Sequence, residues 1–156
     1  MGTTYRIVVG VDGSEGGRRA LRWAVHEAAS RGGTVQAVTA WRWDTPDLPP
    51  HATTHPDQER ERAQRTLRDE LAALPEFERD KVAIASEIVE GRAADVLSGA
   101  ARDADMLVLG SHGHSRVRHT VLGSVSEECI RKANCPVLVL PVERTDTLPS
   151  PPAVRT

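Results

Sequence analysis

The stretch "GSHGHSRVRHTVLGS", residues 110–124, gathers three glycines, three histidines and two arginines behind the apolar run "MLVL". Its glycines follow the spacing G-x2-G-x9-G-S, with Gly110, Gly113, Gly123 and then Ser124. Such residues suit the holding of a phosphate. Gly110 ends a strand, where a missing side chain lets a ligand approach the backbone, and Gly113 admits φ > 0 and can turn N–H groups inward. Gly123 opens the next helix, where Ser124 and Ser126 offer hydroxyls and N–H groups at the positive end of the dipole. One dipole contact contributes about 0.3–1 kcal/mol. Micromolar affinity, about 8 kcal/mol, therefore needs several N–H groups together with a buried base. The plainer reading of the same residues is a surface loop in which Ser124 only caps a helix.

Other residues carry similar alternatives. Asp12 closes the strand-like run "YRIVVGVD" and is either a ligand or the cap of the next turn. His112 and His114 form an HxH pair, but no further ligands at metal spacing are evident, so they read as phosphate neighbours or as surface. Cys129 falls on an apolar helix face, and Cys135 precedes Pro136 at a strand start. Neither GxxxxGK[ST] nor GxGxxG after a strand occurs.

The positioning elements follow from periodicity. Strands are predicted at "YRIVVGVD", "TVQAVTAW", "KVAIASEIVE", "MLVLG" and "PVLVLPV", the third of them at a sheet edge. Helices are predicted between them. Ser14 caps the first and Gly32–Gly33 end it, with Ala20, Leu21, Ala24, Val25 and Ala28 inward. The second, "DQERERAQRTLRDELAAL", buries Ala63, Leu67, Leu71 and Leu74 and gives its charges to solvent. The third turns Ala94, Leu97 and Ala101 inward, and the fourth Val125, Cys129, Ile130 and Ala133. The Pro-rich stretch 42–56 reads as a lid or a disordered connection. Strictly alternating strands and helices predict an α/β fold: a single doubly wound domain, an open five-stranded parallel sheet with helices on both faces. Residues 1–143 form that domain and 144–156 a Pro-rich, disordered tail. Ligands of such sheets bind at the carboxyl ends of strands where the order reverses, which points to Asp12 and Gly110.

Composition bounds the function. The chain of 156 residues is 39% hydrophobic and 27% charged, enough for one core. A net charge of -2 gives no case for nucleic acid or an anionic membrane, so an anion site must be local. The N-terminal sequence lacks a signal-peptide pattern, no apolar run reaches membrane-spanning length, and the two cysteines lack CxxC spacing. The expectation is a reduced, cytoplasmic protein.

The segments "IVVGVDGSEGGRRALRWAVHEA" and "DADMLVLGSHGHSRVRHTVLGSVSEECIRKANCPVLVLP" resemble the two halves of the universal stress protein family, from about Tyr5 to Val142. The glycine signature resembles that of its ATP-binding branch. The resemblance implies an adenine nucleotide alpha hydrolase-like sheet of strand order 3-2-1-4-5. It implies ATP, with Mg, whose triphosphate lies on Gly113, Gly123, Ser124, Val125 and Ser126. Gly110 would lie beside the ribose, and Asp12 near the ribose and phosphates, helping to hold the metal. Adenine would reach the backbone near Ala40, and Val11 would line the cleft. His112 and His114 count with the nucleotide-binding residues. "HSRVRH" departs from the glycine-rich run of close relatives and adds cationic groups at His114, Arg116 and Arg118. Trp41 and Trp43 lie near the implied adenine, for stacking or as an apolar cap. A homodimer through Pro136–Val142 is also implied.

The leading expectation is an ATP-binding regulatory module of the stress response, because no obvious catalytic base, nucleophile or Walker lysine is present. The alternatives are a slow ATP hydrolase, with Asp12 as the acid and Glu127 or Glu128 as weaker candidates, and a nucleotide-free dimeric scaffold.

Overall fold

The run Ile7-Val8-Val9 has no polar face, so it needs apolar cover on both sides, and all three residues are fully buried at the centre of the sheet. The computed structural model describes residues 3–43, 55–112 and 122–141. Along these run β1 (Arg6–Gly10), α1 (Glu15–Arg31), β2 (Thr34–Trp41), α2 (Pro56–Ala72), α3 (Glu76–Arg79), β3 (Ala83–Glu90), α4 (Ala93–Ala100), β4 (Met106–Gly110), α5 (Ser124–Lys132) and β5 (Val137–Leu140). All strand pairs are parallel, and the order is β3-β2-β1-β4-β5. The expected doubly wound sheet and its strand order are both present, with β3 at an edge.

Alternation along the strands divides the interior into two layers. Ile7, Val9, Val35, Ala37 and Val108 pack under α1 and α2 with Ala20, Leu21, Ala24, Val25, Ala28 and Leu67. Val8, Val38, Leu107 and Leu109 pack under α4 and α5 with Ala94, Leu97, Ala101 and Cys129. Ser14 caps α1, its side chain accepting from Gly17 N–H, and Gly32 ends the helix at φ 64°. Pro56 takes the first turn of α2, where its missing N–H costs nothing.

Three sequence expectations need correction. α3 is an additional one-turn helix, too short to show a period. On α5, Cys129 is buried as expected, but Ile130 and Val125 are 48% and 37% exposed. This nine-residue helix buries only a narrow stripe, Ser126 and Cys129. On α2, Glu70 is buried although the charges were assigned to solvent. The Pro-rich stretch, apart from its ends, lies outside the described residues, as do Gly113, His114, Val142 and the segment 144–156.

Candidate functional site

β1 sits between β2 and β4, and the chain leaves it toward β2 first and returns to β4 later, so the order reverses beside β1. The carboxyl ends of β1 and β4 border a cleft of about 240 Å³ lined by parts of β2, α4, the β1–α1 turn and the start of α5. Such a crevice is the general ligand site of an open α/β sheet.

Backbone pairing fixes the cleft wall at β1. Val11 N–H donates to Val38 carbonyl at 2.9 Å, and the buried Thr39 hydroxyl donates to Val11 carbonyl at 2.8 Å. The chain then turns at Gly13, whose φ of 79° lies in the left-handed region that favours glycine. Asp12 Oδ1 accepts the N–H of Ser14 at 2.9 Å and also its hydroxyl. Ser14 Oγ in turn accepts Gly17 N–H at 3.1 Å. Asp12 thus caps the turn and also lines the cleft.

The opposite wall is built at the exit of β4. Ser111 N–H donates to Leu140 carbonyl at 2.8 Å, and Ser111 carbonyl accepts Gly123 N–H at 2.6 Å. These bonds bring the first turn of α5 to the end of β4. Ser111 Oγ lies 3.1 Å from His112 Nδ1. Gly123, at the N-cap, supplies no side-chain oxygen, and α5 has no side-chain cap among the described residues. The N–H groups of Ser124, Val125 and Ser126 belong to the first turn, where a helix leaves its donors without intrahelical partners. Ser126 is buried, and its hydroxyl donates to Gly110 carbonyl at 2.9 Å. What it has left for an anion is its backbone N–H.

The lining of the cleft is chemically mixed. Val11, Val38, Ala40, Ala93, Leu97 and Leu109 give the lining its apolar members, and Asp12, Ser14 and the α5 turn its polar ones. α4 and α5 are stapled together outside it. Arg92 reaches Glu128 at 2.8 Å, and Lys132 reaches Asp95 at 2.6 Å and Glu128 at 3.4 Å. The Lys132 ammonium, by hydrogen bond and then by charge, holds the Asp95 carboxyl below its ordinary range.

Of the sequence-derived site residues, Val11, Asp12, Ala40, Gly110, His112, Gly123, Ser124, Val125 and Ser126 all line this cleft. Ser14, Gly17, Ala93, Leu97 and Ser111 also line it and were not anticipated as site residues. Ser111 lies inside the glycine-rich stretch and could have been included, whereas Ala93 and Leu97 carry no local signal because only the packing of α4 brings them there. Among the described residues, no group of three or more His, Cys, Asp or Glu side chains is placed to hold a metal.

The donor set fits the group that the sequence resemblance implies: an apolar slot for a base, and helix N–H groups for phosphates. Comparison with known proteins agrees at the family level. The universal stress protein family model matches residues 4–141. Universal stress protein Rv2624c of Mycobacterium tuberculosis (strain ATCC 25618 / H37Rv) is 36% identical over 143 residues, covering 88% of this chain and 48% of that protein. The chain thus spans about half the length of the curated relatives it matches. A crystal structure of a universal stress protein in complex with cAMP superposes with a TM-score of 0.64 at 26% identity, covering 89% of this chain and 98% of its own. The universal stress protein from Archaeoglobus fulgidus in complex with dAMP gives 0.62 at 27%, with the same two coverages of 89% and 98%. With a cleft at the sheet's reversal point and a family match over almost its whole length, the chain belongs to the universal stress protein family.

Proposed function

We propose that the cleft binds an adenine nucleotide, ATP with Mg²⁺, and that the protein is a nucleotide-regulated module of the stress response. The observation that carries this reading is a cleft at the sheet's reversal point that joins apolar lining residues to a helix start with no side-chain cap among the described residues. Adenine stacks in the slot of Val11, Val38 and Ala40, the ribose lies by Gly110 and Asp12, and the phosphates take the N–H groups of Ser124, Val125 and Ser126. His112 lies alongside, and Gly113 and His114, outside the described residues, enter the reading on the sequence signature alone. Mg²⁺, when bound, neutralises phosphate charge, and Asp12 is its protein ligand. The cAMP and dAMP complexes of the two similar structures support an adenine nucleotide in general.

The same reading includes a homodimer through β5. That strand lies at the sheet edge, and its four residues Val137–Leu140 are all apolar and only half-buried. A cytoplasmic site of action agrees with two free cysteines, one buried and one half-buried. No helix among the described residues is long and apolar enough to cross a membrane.

The test is mass spectrometry of small molecules released by denaturing the freshly purified protein, beside a Gly123→Val variant whose folding is checked by thermal melting. Stoichiometric adenine nucleotide from the wild type alone supports the reading, and the ATP:ADP ratio after incubation with Mg²⁺ measures hydrolysis. No nucleotide released, and none bound when ATP is added back, removes it.

A further inference from the structure

Glu70 occupies an unusual place. It falls on the apolar stripe of α2, between Leu67 and Leu74, and it is only 8% exposed. A carboxylate buried on a hydrophobic stripe is costly unless it is paired, and a leucine there would pack without that cost. Its partner is Arg18 of α1, whose Nε lies 3.0 Å from both Glu70 oxygens. The Arg18 guanidinium makes one more contact: Nη2 donates to Gly13 carbonyl at 3.2 Å. Gly13 is the centre of the Asp12–Ser14 turn and stands at φ 79°.

A chain of contacts therefore runs from a buried acid on α2, through Arg18, to the backbone of the turn that carries Asp12. Gly17 approaches the same turn closely: a Cβ there would lie 2.7 Å from Asp12 Oδ1, and its N–H donates to Ser14 Oγ at 3.1 Å. Asp12 has little latitude while Gly13 carbonyl is held. Without Arg18, that carbonyl returns to solvent and the glycine is free to explore its broad range of backbone angles.

We propose that Arg18 and Glu70 are a positioning pair, which holds the β1–α1 turn in its nucleotide-binding form and makes α2 a structural support of the cleft. The binding part of this proposal rests on the nucleotide reading above. The pair touches no nucleotide itself. It acts through Gly13 on Asp12: the Glu70 carboxylate is buried while the Arg18 side chain is 58% exposed, so the pair is screened on one side and sets geometry more than it adds stability.

The experiment compares the wild type with Arg18→Met/Glu70→Leu, in which apolar groups replace the pair, and with Glu70→Gln, which keeps an acceptor and the side-chain shape. Three quantities are read in the full chain: thermal midpoint, amide exchange at Ser14 and Gly17 by NMR, and affinity for Mg-ATP by calorimetry. The expected result is a midpoint equal to or above that of the wild type, exchange at least several-fold faster at Ser14 and Gly17, and Mg-ATP binding weakened about tenfold, equivalent to about 1.4 kcal/mol. Glu70→Gln gives a smaller change of the same sign, and it decides the matter should the double variant fail to fold. In an Asp12→Asn background the pair's effect on affinity falls below about twofold, as coupling through Asp12 requires. Unchanged exchange at Ser14 and Gly17 overturns the proposal. So does unchanged affinity in a variant whose wild-type parent binds, or an equal loss in the Asp12→Asn background. If the wild type binds no nucleotide, the functional reading fails, while the exchange data still decide whether the pair holds the turn.

Discussion

Gly110 and Gly16 are in backbone-to-backbone contact: a Cβ on Gly110 would lie 2.6 Å from the carbonyl carbon of Gly16 and 2.9 Å from its Cα. The bareness of Gly110 therefore serves the docking of α1 on the end of β4 before it serves any ligand. Gly110→Ala is expected to destabilise the fold by about 1–3 kcal/mol, because backbone rather than a flexible side chain must yield. Gly99→Ala is the matched control. A Cβ there meets nothing within 4 Å on the exposed side of α4, and the helix gains about 0.5–1 kcal/mol. Urea denaturation of both variants checks the pair, and equal midpoints would contradict the contact.

Ser126 and Ser124 should respond differently to truncation. The Ser126 hydroxyl is engaged with Gly110 carbonyl at 2.9 Å. Ser126→Ala should lower stability by about 1 kcal/mol and leave nucleotide affinity within about twofold, since the N–H remains. Ser124→Ala should do the reverse, with little loss of stability and measurable loss of affinity. Calorimetric titration with ATP beside thermal melts separates the two.

Acid should reach Glu78 late. The hydrogen bond from His26, at 3.0 Å, and then Arg22, at 3.2 Å, hold its carboxyl below the ordinary 4.5 against the opposing effect of burial. A carboxyl depressed in the folded state adds stability that is complete above its unfolded pKa. That stability is lost as pH falls through the folded value. Glu78→Gln should therefore be less stable than the wild type at neutral pH. The gap should close progressively below about pH 4.5. Urea midpoints measured from pH 7 to pH 2.5 test this, and a gap that is constant with pH counts against the assignment.

The two thiols should react in order. Burial pushes both up from their ordinary range, but Cys129 is wholly inaccessible between α4 and the sheet, whereas Cys135 is half-buried. A thiol reagent at pH 8 should label Cys135 first, and Cys129 only at the rate of global unfolding. Simultaneous labelling would mean that α5 detaches locally.

The sheet and most of the cleft were legible because their signals are local. Strand runs are apolar throughout, and the glycine spacing places Gly110, Gly123 and Ser124 at one strand exit. What escaped depends on contacts between distant segments. Glu70 looks like one more charge on a solvated helix until Arg18, 52 positions away, is seen against it. Ala93 and Leu97 are ordinary helix residues until α4 packs beside Val38. Ile130 has the right period to be buried, yet it stands 48% exposed. Gly110 lines the cleft, but nothing local to it reveals that its missing side chain also admits the backbone of Gly16.

The central place of β1 has a consequence for how the molecule is made. Arg6 N–H meets the Asp105 carboxylate at 2.8 Å across 99 positions of chain, and Val9 pairs with Val108. β1 is therefore made well before β4 and waits for it before its second edge is satisfied, and closing that long loop is slow. Until then the emerging chain presents β1 with one open edge, the condition in which nascent strands seek wrong partners. Neither wall of the cleft can brace the other before α5 has left the ribosome, so any ligand stabilises only the finished product and cannot template its assembly.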